Sequence, residues 1–223
     1  MLRPRTLLSF LLCACLALVC SSAAEPTADA AATAAKQIQR ADKIVSTLGL
    51  ADPAKATRVR DILVRQYADL SAIHAVRDAA LKEAKAHGAT DKTAADVAVK
   101  AARSTAEAAQ SKLHGEFLAR LGTELTPAQI DQVKDGLTYG VLPLTFRVYQ
   151  EMLPNLTAEQ KAQILAWLTE ARELAMDGST SDEKHGVFGK YKGRINNYLA
   201  KAGIDMKQAE KDLQARTQAK SKP

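Results

Sequence analysis

The sequence predicts an all-α protein: a long antiparallel helical hairpin continued by a compact bundle of shorter helices, seven or eight helices in total and no sheet. Three observations carry this prediction. Apolar residues recur at spacings of three and four through long stretches of the chain. Helix-start signals punctuate the remainder. No segment alternates apolar and polar residues for long enough to make a strand.

The chain opens with the three parts of a secretory signal. Arg3 and Arg5 give a positive start, Leu7 to Val19 an apolar stretch, and Ser21-Ser22-Ala23-Ala24 small residues for cleavage before Glu25. Residues 1–24 therefore read as a cleaved signal peptide, and the mature protein is expected in the periplasm or outside the cell. The apolar stretch is too short to serve as a mature transmembrane helix. No later segment is apolar for long enough, so no membrane span is expected after cleavage. All three cysteines (Cys13, Cys15, Cys20) lie inside the signal, which leaves no disulfide, thiolate metal site or cysteine nucleophile behind. Cys20 follows Val19 rather than a small residue, which argues against lipid attachment.

Residues 25–35, mostly Ala, Thr and Asp, read as a flexible leader that joins the first helix. A single helical domain is expected over 36–203, with a long-helix part (36–121) and an aromatic-rich part (122–203). The first helix runs to Leu48, with Gly49 as its stop. Asp52-Pro53 supplies a cap and a first-position proline. Val59, Ile62, Leu63, Tyr67, Leu70, Ile73 and Leu81 then mark an amphipathic helix to about Ala86. Gly88 and Thr90-Asp91 turn the chain into a second long helix. It carries Val99, Ala102, Ala106, Ala109, Leu113, Phe117 and Leu121 on one stripe. A short connection makes the two an antiparallel pair.

Seven of the ten aromatic residues fall between Tyr139 and Tyr198. Thr126-Pro127-Ala128-Gln129 and Thr157-Ala158-Glu159-Gln160 are capping boxes that start two helices. Leu142-Pro143 and Leu153-Pro154 interrupt the segment between them, and Asp135 to Pro143 reads as an ordered non-helical connection around Tyr139. Thr180 and Glu183 start a further helix, and Gly203 stops it. Asp205 caps a final polar stretch, so 204–223 is a basic C-terminal helix or tail with a solvated end.

Candidate chemistry is sparse. The net charge is +6, two of which belong to Arg3 and Arg5, and there is no basic-aromatic motif, so nucleic acid is not an expected partner. His74, His87, His114 and His185 have no metal-ligand spacing, and no phosphate-binding glycine loop, nucleophile elbow or zincin motif is present, so no metal or cofactor is expected. His74 sits on the apolar stripe as a hydrogen-bonded, partly buried histidine. Asp131/Asp135 and Glu170/Glu173 read as helix-surface pairs compensated by Lys134, Arg172 and Lys161 rather than as a glycosidase dyad. Trp167 reads as core. In His185 to Leu199, three glycines (Gly186, Gly189, Gly193) share one helical face. Each costs about 1 kcal/mol relative to alanine, so a helix backbone or a ligand is expected to come close there. A second face carries Lys190, Arg194 and Asn197, groups that bind hydroxyls and carboxylates.

The runs KDGLTYGVLPLTFRVYQEMLPNLT (134–157), QILAWLTEARELAMD (163–177), EKHGVFGKYKGRINNYLAKAG (183–203) and ADLSAIHAVRD (68–78) resemble an uncharacterised family of exported bacterial proteins. That family is described as sugar-binding and occurs mostly in bacteria that degrade polysaccharides. The resemblance implies an exported, non-enzymatic binding module for an oligosaccharide or acidic sugar. The expected site lies between the Tyr139 connection and the Lys190 helix, with Tyr139, Tyr149, His185, Lys190, Tyr191, Arg194 and Asn197 as ligand-binding candidates. The two L-T-x-x-Q segments (125–129 and 156–160) are similar to those of small periplasmic helical chaperones, which makes a chaperone or scaffold the alternative. A polysaccharide lyase or hydrolase using Tyr139, His185 or Lys190 as acid or base is a third reading.

Overall fold

A computed structural model describes residues 28–221. The expected signal peptide and the start of the leader lie outside the described residues. Among those described there are eight α-helices and no strand: α1 (Ala28–Ser46), α2 (Pro53–His87), α3 (Lys92–Gly122), α4 (Pro127–Leu137), α5 (Val141–Met152), α6 (Ala158–Met176), α7 (Ser181–Lys201) and α8 (Met206–Ser221). No helix among them is long and apolar enough to cross a membrane.

Local chemistry sets most boundaries. Gly49 takes a left-handed φ of 62° after α1, the conformation that ends a helix and that glycine adopts without a Cβ penalty. The Asp52 carboxylate accepts from Ala54 N at 2.8 Å to start α2, and Asp91 accepts from Ala94 N at 2.9 Å to start α3. Thr126 and Thr157 both complete their capping boxes with Gln129 and Gln160. Leu125 and Leu156, which precede them, are buried. The L-T-x-x-Q pattern thus does structural work at two helix starts.

The 35-residue α2 is roughly 50 Å long at 1.5 Å per residue, and α3 runs back along it. Arg58, near the start of α2, donates to Glu124, just past the end of α3, at 2.8 and 3.0 Å. The far half of the hairpin buries alanines (Ala84, Ala95, Ala106), small enough for two helix axes to approach closely.

Two apolar clusters organise the rest. The first joins Ile44 of α1, Leu48 of the turn that follows it, Val59 and Leu63 of α2, Phe117 and Leu121 of α3, Val133 and Leu137 of α4, and Met176 at the end of α6. The second joins α5 and α6 to Phe188, Ile195 and Leu199 of α7 and Ala209 of α8. Helix α6 serves both and is the beam that connects them. Burying each large side chain contributes about 1.5–3 kcal/mol, so the two clusters supply much of the stability of the described residues, which contain no cysteine. Gly136 lets α4 lie against α1: a Cβ there would come within 2.8 Å of Ile44 Cγ1. The C-terminal stretch is helical, capped by Asp205 on Gln208 N (3.0 Å), and Arg216 donates to the carbonyls of Glu151 and Met152 at the end of α5.

Two expectations are corrected. The connection around Tyr139 is only three residues, Thr138 to Gly140, because α4 continues to Leu137 and α5 begins at Val141. Pro143 sits in the first turn of α5, where backbone N–H groups have no intrahelical acceptor, so a proline loses nothing there. The glycine face of α7 has no helix against it: at Gly186, Gly189 and Gly193 an added Cβ would meet nothing within 4 Å.

The open glycine face gives a direct test of stability. Replacing Gly189 and Gly193 together by alanine is expected to stabilise the fold by about 1–2 kcal/mol, raising Tm by a few degrees in a thermal melt. A lower Tm would show that these positions need to be bare for packing.

Candidate functional site

A cleft of about 960 Å³ is bounded by α1, α2, the α4–α5 turn and the start of α7. Its charge is one-sided. Lys36, Arg40 and Lys43 line it from α1 and Lys184 from α7, and no Asp or Glu is among its lining residues. None of these four cations forms an ion pair among the described residues. Tyr67, Ser71 and His74 enter from α2, and Ser179, Thr180 and Ser181 from the α6–α7 turn. The start of α7 borders the same space through Thr180 and Ser181, and it is capped there: Thr180 Oγ1 accepts from Glu183 N at 3.1 Å, and Ser179 donates to the Glu183 carboxylate.

Lys184 is the inner wall. It is 7% exposed. Its ammonium donates to Leu137 O at 2.9 Å and Met176 O at 3.2 Å, the last carbonyls of α4 and α6. It therefore caps two helix C-termini with one charge and keeps one N–H unassigned. Burial brings its pKa down to about 8, against the opposing pull of Asp177, and Arg40 pushes it the same way as burial. Near pH 7 it remains mostly an ammonium.

His74 is 4% exposed and hydrogen-bonds through Nε2 to Asp177 O at 2.9 Å. That bond assigns the proton to Nε2 and leaves Nδ1 an acceptor with no partner among the described residues. Tyr67 is held neutral, its pKa pushed up to about 12 by burial. Tyr139 forms the rim: 52% exposed, it stacks on His185 with ring centroids 5.8 Å apart. It alone among the described non-glycine residues has a positive φ, 58°. A tyrosine in this region costs of order 1 kcal/mol or more, and the adjacent left-handed Gly140 at φ 66° completes the turn that holds it.

Behind the cleft, charged side chains tie α3, α4 and α6 together. Arg172 forks onto Asp131 and Asp135, the carboxylate pair noted in the sequence. Lys134 pairs with Glu173 at 2.8 Å, and His114 Nδ1 donates to Asp177 Oδ2 at 2.8 Å. Hydrogen bonds to Asp177 and Glu173 raise the His114 pKa to about 9. Burial opposes ionisation of Glu173, but hydrogen bonds from His114 and Lys134 outweigh it and hold its pKa at about 2. No group of three or more His, Cys, Asp or Glu residues among the described residues has the arrangement of a metal site.

The seven residues singled out in the sequence do not converge. Tyr139 lines the cleft, and His185 stacks on Tyr139 without lining the cleft itself. Tyr149 is 5% exposed and donates to Asn196 Oδ1 at 2.6 Å, so it is a core residue. Tyr191 is half-buried against the second cluster. Arg194 lies over the Trp167 ring at 4.7 Å and near Glu170 at 3.7 Å, on an open surface, and covers a Trp167 that is only half-buried. Asn197 is exposed on the same helix, and Lys190 faces a different cleft. The sequence reading missed Lys36, Arg40, Lys43, Tyr67 and Lys184. Three of them carried a signal: Lys36, Arg40 and Lys43 have helical i, i+4, i+7 spacing and share one face of α1.

The family described as "Protein of unknown function (DUF3826)" matches residues 34–219, and the chain belongs to that family. No curated protein matches it.

The charged joint makes stability depend on pH. The folded pKa of His114 lies above its unfolded value of 6.5. Its contribution is thus complete below pH 6.5 and is lost as pH rises through about 9. The folded pKa of Glu173 lies below its unfolded value of 4.5. Its contribution is complete above pH 4.5 and is lost as pH falls through about 2. In urea titrations, the stability difference between the parent and His114→Gln is expected to be largest near pH 5–6 and to shrink through pH 9. A pH-independent difference would contradict the ion-pair assignment.

Proposed function

We propose that this member of the DUF3826 family is an exported, non-enzymatic binding module for an acidic saccharide, with the sugar carboxylate seated in the cleft between α1 and α7. The observation that carries this reading is the cation-only lining: Lys36, Arg40, Lys43 and Lys184, none paired, around a space with no carboxylate. Uncompensated cations converging on one concavity raise its potential and favour an anion. A carboxylate accepts charge-assisted hydrogen bonds, each contributing about 1.5–3 kcal/mol. The remaining lining favours a carboxylated sugar over a bare inorganic anion. Hydroxyls of Ser71, Ser179, Thr180 and Ser181 match ring hydroxyls, and the Tyr67 and Tyr139 rings offer apolar faces. A volume of about 960 Å³ falls within the range of small-ligand sites. The resemblance to a family described as sugar-binding points the same way.

An acid–base reading has less support. Tyr139 lines this cleft, His185 stacks on Tyr139 and lines neither cleft, and Lys190 lines the other one, so the three do not form one catalytic set.

Calorimetric titration with D-galacturonate and D-glucuronate, beside galactose and glucose, tests the reading. At least one uronate is expected to bind and the neutral sugars not. Arg40→Ala is expected to weaken binding about tenfold, or about 1.4 kcal/mol. Affinity should fall with added salt. It should also fall as pH rises through 8, where Lys184 loses its proton. Equal binding of the neutral sugars, or an Arg40→Ala variant that binds uronate as tightly as the parent, would overturn it.

A further inference from the structure

A second cleft, of about 730 Å³, opens on the other side of the α6–α7 turn, and Gly178 lines both clefts. His74 from the first and Gln110 from the second hydrogen-bond the same carbonyl, Asp177 O, at 2.9 and 3.1 Å. The second cleft differs in character, because acidic and basic side chains both line it. It does not select an anion.

Three features of this cleft have no account within the fold. Asp177 Oδ1 is buried without a hydrogen-bond partner among the described residues, although Oδ2 is held by His114. Buried polar atoms are almost always paired, and a ligand hydroxyl would pair this one. Leu174 is 56% exposed and offers an apolar surface beside the amide of Gln110 and the hydroxyl of Ser111. Gly186 stands in the wall on α7, with helical φ and nothing within 4 Å of where a Cβ would lie. Neither packing nor backbone conformation requires glycine there, yet it costs the helix about 1 kcal/mol. A bare backbone at that point widens the cleft.

We infer that the second cleft is a subsite for an uncharged, hydroxyl-rich sugar unit adjoining the acidic unit in the first cleft. The ligand is then a saccharide in which uronate and neutral residues are linked. This rests on the acidic-saccharide reading of the first cleft. The donors and acceptors of Asp177, Gln110 and Ser111 take the ring hydroxyls, and Leu174 takes the ring's C–H face.

The test uses the purified protein, Gly186→Phe and Gln110→Ala. Gly186→Phe fills the cleft from an open helical position, so the fold is expected to be kept. Titrations compare the uronate monosaccharide that binds, a tetrasaccharide alternating that uronate with a neutral sugar, and a tetrasaccharide of the uronate alone. The alternating tetrasaccharide is expected to bind at least tenfold tighter than either of the others. Gly186→Phe should remove that gain while leaving monosaccharide affinity within twofold, and Gln110→Ala should reduce it. If the gain survives Gly186→Phe, or the all-uronate tetrasaccharide binds as tightly, the second subsite is wrong while the first cleft stands. If no uronate monosaccharide binds, the reading of the first cleft fails and this inference with it.

Discussion

The Lys184 ammonium is the interaction on which the arrangement depends. Its two bonds join the last carbonyl of α4, which belongs to the first apolar cluster, to the last carbonyl of α6, the helix shared by both clusters. It does so from the second turn of α7. One buried charge thus fixes three helix ends against one another, and the cleft is the space those ends enclose with α1 and α2. A buried lysine bonded only to carbonyls is expensive, which its lowered pKa expresses. Hydrophobic packing alone would not place a charge there.

The surrounding scaffold holds that geometry under strain. Gly136 brings α4 hard against Ile44 of α1, and the left-handed pair Tyr139 and Gly140 turns the chain back within three residues. The Arg172 fork onto Asp131 and Asp135 locks α4 to α6. Asp177, two residues before the Ser179–Ser181 rim, carries His74 and Gln110 on its carbonyl and His114 on its carboxylate. Stability lost at Tyr139 and Lys184 is offset by this network and by the two apolar clusters. Such strain concentrates where structure serves binding.

Much of the fold was legible in the sequence because its determinants are local. The Asp52-Pro53 start, the two threonine capping boxes, Gly49 and the apolar spacing of α2 act within a few residues, and each appears where its chemistry requires. The compensation of Asp131 and Asp135 by Arg172 was legible in part, since their i, i+4 spacing puts both carboxylates on one helix face that a single guanidinium can bridge. The start of α5 was not, because Pro143 signals a break in the interior of a helix and is harmless in its first turn. The cleft was largely hidden. Lys36 and Lys184 are 148 positions apart in the sequence, and only tertiary packing shows that they face one space. Attention to Lys190, Arg194 and Asn197 followed from a polar face that meets open surface and a second cleft instead.

In the proposed reading the two clefts divide recognition between a charged and an uncharged half, with the α6–α7 turn between them. The central claim is that the cation-lined cleft, not the open face of α7, receives the acidic sugar. Chemical-shift mapping of backbone amides during uronate titration tests it most directly. The account predicts that the largest shifts fall on Ser179, Thr180, Ser181, Lys184 and Tyr139, with Arg194 and Asn197 unmoved. Shifts centred on Arg194 and Asn197, or none at saturating uronate, would contradict it.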